Sequence, residues 1–218
     1  MKSRFSTLMA AAVTLLTLSA TPAWAGITED ISNLQHRWAK VNYEMNGKAQ
    51  LSAFETLTSD ADKVVASYPD QAEPLIWRGI IKSTHAGAKG GLGALGLAKS
   101  SKADLEAAMK INADALDGSA YTSLGTLYFN VPGWPIGFGD DKKAEELLQK
   151  ALSINPNGID SNYFFGDYLI SKKRYSEAKT YLLNAKNAPP RPNRPLADKG
   201  RQLEIDAALA TVEKKLKD

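Results

Sequence analysis

No cysteine occurs in the 218-residue chain, which excludes a disulfide framework, a thiolate metal site and an acylated lipoprotein N-terminus. Histidine is nearly as scarce. Its two copies, His36 and His85, have no histidine or cysteine at ligand spacing, so neither a metal centre nor a cofactor is expected. No Gly-x-Ser-x-Gly elbow is present, and the carboxylates are interspersed with lysines on amphipathic segments, so the reading is of a protein that is not an enzyme. A long hydrophobic run is also missing: the stretch from Leu8 to Leu18 falls short of the roughly 20 residues a membrane span needs. Lys2 and Arg4 precede that stretch and Ala23-Trp24-Ala25 follows it, the layout of a secretory signal peptide with a small-x-small cleavage site. The expectation is a leader over 1–25 and one mature domain over 26–218, periplasmic and not a lipoprotein. Charge of one sign is missing as well. Lys2 and Arg4 belong to the 27 basic residues set against 24 acidic ones, and the remainder interleave, as in Asp140-Asp141-Lys142-Lys143. A nucleic-acid binder would show a basic face, so no nucleic-acid partner is expected.

What the chain does have is a recurring proline–glycine spacing, in Pro69/Gly79, Pro156/Gly166 and Pro190/Gly200. From Gly166 the pattern continues through Ala178, Leu182, Ala185 and Pro190: small, large and small residues that let two antiparallel helices approach, then a proline that stops the second. From Gly125 the same pattern reads Ala144, Leu148, Ala151 and Pro156, and from Gly79 it reads Ser101, Leu105, Ala108 and Ala113. Each of these two sets is displaced uniformly, so each repeat carries one insertion, near 130–140 and near 87–99 respectively. Ala113 to Gly125 is two residues longer than the usual step. Leu57, Ala61 and Val64 supply a degenerate N-terminal pair, and Leu196, Leu203, Ala207 and Val212 a C-terminal capping helix. The pattern resembles the roughly 34-residue tetratricopeptide repeat, and the fold class expected is all-α, a TPR-like superhelix of stacked antiparallel helix pairs. Removal of the last helix should uncover its neighbours and destabilise the domain.

The two insertions differ in character. Gly87 to Gly96 includes Lys89 but not the Gly-Lys-Ser/Thr mouth of a phosphate-cradling loop, and reads as a flexible turn between helices or as a mobile lip over a groove. Asn130 to Asp140 carries Pro132, Trp134, Pro135 and Phe138, reads as ordered, and serves either as a wall of a ligand cleft or as a plug on its own repeat. In tetratricopeptide repeats the concave surface is built mainly from the first helix of each pair. Carried over from the glycine anchors, that resemblance implies a groove of Ile80 and Thr84, then Thr122, Thr126, Phe129 and Asn130, then Tyr163 and Asp167, with Trp134 and Phe138 from the insertion. The mixture suits a small amphipathic ligand or an extended peptide.

Leu124-Gly125-Thr126-Leu127-Tyr128, then Val131-Pro132-Gly133-Trp134-Pro135, Phe138-Gly139-Asp140 and Lys143-Ala144 closely resemble the T-component family associated with tripartite ATP-independent periplasmic (TRAP) transporters, over about residues 70 to 210. The resemblance implies an exported, all-helical accessory protein that associates with a substrate-binding component and holds an apolar or amphipathic small ligand. Many members of that family look like lipoproteins, whereas this chain has no cysteine to acylate. The alternative function is a scaffold whose groove binds peptide segments of envelope proteins. An enclosed apolar pocket favours the first and an open polar channel the second, and self-association through outer apolar positions is open to either.

Overall fold

The computed structural model describes residues 23–91 and 93–217. The leader expected over 1–25 lies outside the described residues apart from its last three, which begin the first helix. Among the described residues there are nine helices and no strand: α1 (Ala23–Glu44), α2 (Gly47–Ser67), α3 (Ala72–Lys89), α4 (Ala94–Asn112), α5 (Ala115–Asn130), α6 (Asp141–Ile154), α7 (Ile159–Ser171), α8 (Tyr175–Lys186) and α9 (Pro195–Lys215). None of them is long and apolar enough to cross a membrane. Neighbours in sequence pack as neighbours in space, α1 on α2, α3 on α4, α5 on α6 and α7 on α8, so the fold is an all-α helical repeat of TPR-like stacked pairs.

One recurrent position sets the pairing. A Cβ placed on Gly79 of α3, Gly125 of α5 or Gly166 of α7 would stand 2.8, 2.8 or 2.9 Å from the Cγ of Leu105, Leu148 or Leu182 on the partner helix. Each leucine is completely buried, flanked one turn away by buried small residues: Ser101 and Ala108, Ala144 and Ala151, Ala178 and Ala185. Glycine facing leucine therefore brings the two axes together, and burying each leucine contributes roughly 1.5–3 kcal/mol. Ser101 departs from alanine at its position because its hydroxyl donates to the Gly79 carbonyl at 2.6 Å.

The displaced registers have two different physical solutions. Near 87–99 the structure has little loop: α3 runs to Lys89 and α4 begins at Ala94, so most of the extra length lengthens the two helices. Burial drives this, since Ala94, Leu97 and Ala98 pack with the α3–α5 core. Only 90–93 connects, with Gly90 and Gly91 at φ +62° and +60°, a left-handed conformation that costs glycine little. The two surplus residues before Gly125 are absorbed by a left-handed turn inside α5, at Leu116, Asp117 and Gly118. His85, beside the first insertion in sequence, is a core residue: it is buried, its ring stacks on Phe54 with centroids 5.6 Å apart, and burial pushes its pKa down.

The last helix does more than cap the stack. Ile205, Leu209 and Val212 of α9 join the core of α7 and α8, while Ala197, near its other end, joins the core of α1 to α3. Gly200 leaves no room for a Cβ because the Tyr43 ring of α1 presses on it. Along the same seam the His36 Nε2 donates to the Asn193 carbonyl at 2.8 Å, and the Arg194 guanidinium lies over Trp77 and Trp38, 5.1 and 6.0 Å from the ring centroids. The capping helix expected at the C-terminus thus covers α7 and α8 and also meets α1, so first and last helices are in contact.

Candidate functional site

Between the helices lies a half-open cavity of about 840 Å³. Helices α1, α3, α4, α5, α7 and α9 all contribute to its wall, as do Gly90, Gly91, Val131, Pro132 and Ile136 from the two connecting loops. That volume falls within the range of pockets that enclose drug-sized ligands. Most of the wall is apolar: Trp38, Leu95, Ala98, Leu127, Val131 and Phe164 are among the lining side chains.

Four of the residues expected in the groove line this cavity: Thr84, Thr126, Asn130 and Tyr163. The others do not line it. Ile80 packs between the first and middle cores, Thr122 is buried, and Phe129 packs edge-on against Tyr168 with centroids 5.7 Å apart. Asp167 is part-buried on α7, and burial raises its carboxyl pKa, offset in part by Arg201.

The 131–140 loop divides its roles. Pro132 and Ile136 form cavity wall, whereas Phe138 sits edge-on against Tyr128 at 5.5 Å and plugs its own repeat. Lys102 lies over both rings. Trp134 does neither: it is 89% exposed at the loop tip, next to Ile136 at 59%. The loop is fixed from within, since Gly139 N–H donates to the Pro132 carbonyl and Asp140 N–H to the Tyr128 carbonyl, both at 2.9 Å. The Trp134–Pro135 peptide is cis. Asp140 then caps α6 by accepting from the Lys143 amide at 3.0 Å, an arrangement that stabilises helix starts by about 1 kcal/mol.

At the α7–α9 side the wall becomes polar. Arg201 Nε donates to Asp160 Oδ1 at 2.9 Å and its Nη1 to Glu204 Oε2 at 2.5 Å, while Tyr163 and Phe164 each hold a ring centroid 4.4 Å from the guanidinium carbon. Arg191 donates to the second Asp160 oxygen at 2.6 Å. Burial opposes ionisation of Asp160, yet the Arg201 and Arg191 guanidiniums hold its carboxyl well below the usual range. Glu204 accepts from Tyr43 of α1 at 3.4 Å; burial pushes its carboxyl pKa up, partly offset by Arg201. Burial likewise pushes the Tyr43 and Tyr163 phenols up to about 12, so both are neutral hydroxyls at physiological pH.

Sequence reasoning missed Trp38 and Asn42 on α1 and Arg201 and Glu204 on α9, all four lining the cavity. The available signal was Gly200, which repeats the close-packing glycine with no second helix after it to receive the contact. Some other helix had to fill that place, and α1 does. His36 and Ser32, 3.5 Å apart on α1, are absent from the cavity wall, and His36 is committed to the seam. Among the described residues no group of three or more histidines, acidic residues or cysteines could hold a metal ion.

No family model matches this chain, and no curated protein matches it. Among solved structures, a crystal structure of MamA is similar over 78% of this chain and 92% of its own, at 19% identity and a TM-score of 0.44.

Proposed function

We propose that this protein is an exported, non-enzymatic binding protein that carries a small amphipathic molecule in a half-open cavity of its helical stack, in an accessory role like that of a TRAP transporter T-component. The observation that carries the ligand reading is the cavity of about 840 Å³ walled on both sides by α1 and α9. A mainly apolar wall with a few polar groups at one side is the usual form of small-molecule sites. The T-component role rests on the Pro132-Gly133-Trp134-Pro135 and Phe138-Gly139-Asp140 resemblance, and periplasmic export on the leader-like residues 1–25.

The exposed Trp134 beside Ile136 favours a protein partner as well. An exposed tryptophan on a rigid loop is the kind of side chain that dominates interface energies, and here the same loop forms cavity wall, so a substrate-binding component docked on it would sit beside the ligand. Leu95 tests the cavity itself. It lines the wall without belonging to any of the three core clusters, so Leu95→Trp fills ligand space without removing core packing. Titration with the neutral fluorophore N-phenyl-1-naphthylamine should show affinity at least about tenfold weaker for the variant, a loss of roughly 1.4 kcal/mol, at an unchanged melting temperature. Equal affinity in the two proteins would place the probe elsewhere.

A further inference from the structure

The chemistry of the occupant's headgroup follows from where the protons on the cavity wall go. Ser83 and Thr84 both donate their hydroxyl hydrogens to the Ile80 carbonyl at 2.9 Å, and Thr126 donates its own to the Thr122 carbonyl at 2.8 Å. Asn130 spends one amide hydrogen on the Thr126 carbonyl at 3.0 Å. A hydroxyl has one hydrogen and two lone pairs. With their hydrogens committed to their own helices, the three hydroxyls meet a ligand as acceptors, while Asn130 keeps its amide oxygen and one amide hydrogen. Thr84 already acts so, accepting from Trp38 Nε1 at 3.0 Å.

Charge points the same way. Arg201 and Glu204 are the charged side chains of the wall, and the arginine is engaged by two carboxylates, Asp160 through Nε and Glu204 through Nη1. A guanidinium whose charge is already balanced by two carboxylates attracts an incoming anion weakly, and that anion would also meet repulsion from the Glu204 carboxylate. A hydrogen-bond donor meets the reverse situation, because the part-buried serine and threonine oxygens have lone pairs to receive it and the Glu204 carboxylate attracts it.

Resting on the small-ligand reading above, we infer that the cavity takes an amphiphile whose headgroup donates hydrogen bonds and carries no negative charge, an amine or a polyol, in preference to a carboxylate, phosphate or sulfonate. The apolar tail lies among Leu95, Leu127, Val131 and Ile136, and the headgroup lies toward Glu204 and the threonines.

The test displaces N-phenyl-1-naphthylamine from the full protein at neutral pH with three ligands of equal chain length, dodecylamine, monododecanoyl glycerol and dodecanoate, each below its micelle concentration. The amine and the glyceride should compete at concentrations at least about tenfold lower than dodecanoate. Glu204→Gln should weaken the amine about fivefold or more and leave the glyceride within about twofold. Because Glu204 also accepts from Tyr43, Thr126→Val provides a second variant that spares the seam; it should weaken the glyceride and leave dodecanoate unchanged. Dodecanoate competing as well as the amine or better would overturn the headgroup inference while the carrier reading stands. If neither the fluorophore nor any of the three ligands bound, the carrier reading itself would fall, and the inference with it.

Discussion

Arg201→Met should lower the free energy of unfolding by about 2 kcal/mol, because it takes a buried guanidinium away from a part-buried carboxylate that it neutralises. Asp160 is that carboxylate. It keeps Arg191, 2.6 Å away, and some solvent, which places the loss below what breaking fully buried pairs costs. In a domain of this size the melting temperature should fall by roughly 4–8 °C. Asp160→Asn combined with Arg201→Met should regain at least half of the loss, since the orphaned charge is gone as well. The pH dependence has a definite sign. Arg201 and Arg191 hold the Asp160 pKa below its unfolded value, so the stability it provides is present above about pH 4 and is lost as pH falls towards the folded pKa. Urea unfolding at neutral pH and near pH 3 should therefore show a smaller difference between wild type and Arg201→Met in acid. A loss below about 1 kcal/mol at neutral pH would mean that the pair is solvated and that the polar side of the cavity is not the buried cluster described above.

A chain ending at Pro190 should lose far more than a cap. Without α9, the buried Ile205, Leu209 and Val212 no longer cover α7 and α8, and Ala197 and Gly200 no longer back α1. Burial of large aliphatic side chains at roughly 1.5–3 kcal/mol each makes the three core residues alone comparable to the 5–15 kcal/mol by which whole domains are stable. Cooperative unfolding should be lost at physiological temperature, and amide exchange should accelerate in α1 as well as in α7 and α8. An open array predicts a different pattern. There the damage would be confined to α7 and α8, the helices next to the missing cap, and α1 at the other end of the chain would exchange as before. Protection of α1 in the truncated chain thus separates a closed stack from a linear one.

The repeat itself was legible because close packing writes directly into composition. Each glycine that faces a leucine, and each alanine or serine one turn from it, is a small residue demanded by the approach of two helices, and such demands survive as spacing. The pairs Gly79–Leu105, Gly125–Leu148 and Gly166–Leu182 were all readable for that reason. Insertions were readable as displacement but not as conformation: a uniform shift says that residues are added, and burial of Ala94 and Ala98 decided that most of those near 87–99 continue the helices. Within the second insertion, Trp134 and Phe138 look alike as apolar residues, yet only Phe138 has Tyr128 and Lys102 beside it.

Much of the cavity was harder to anticipate, because it depends on contact between the two ends of the described chain. Thr84, Thr126, Asn130 and Tyr163 follow from repeat geometry, being on the inner face of first helices. Arg201 and Glu204 carry no such mark, since on a capping helix they would be ordinary surface charges. Only the return of α9 to α1, secured by Gly200 under the Tyr43 ring, turns them inward.

Native mass spectrometry of the protein isolated from the cells that make it, recorded under gentle conditions and again after denaturation, addresses the central claim most directly. A closed stack that carries a small amphiphile predicts a complex heavier than the polypeptide, with the excess mass released as one amine- or hydroxyl-bearing molecule on unfolding. A bare polypeptide mass under gentle conditions, from a protein that also leaves N-phenyl-1-naphthylamine unbound, would contradict it.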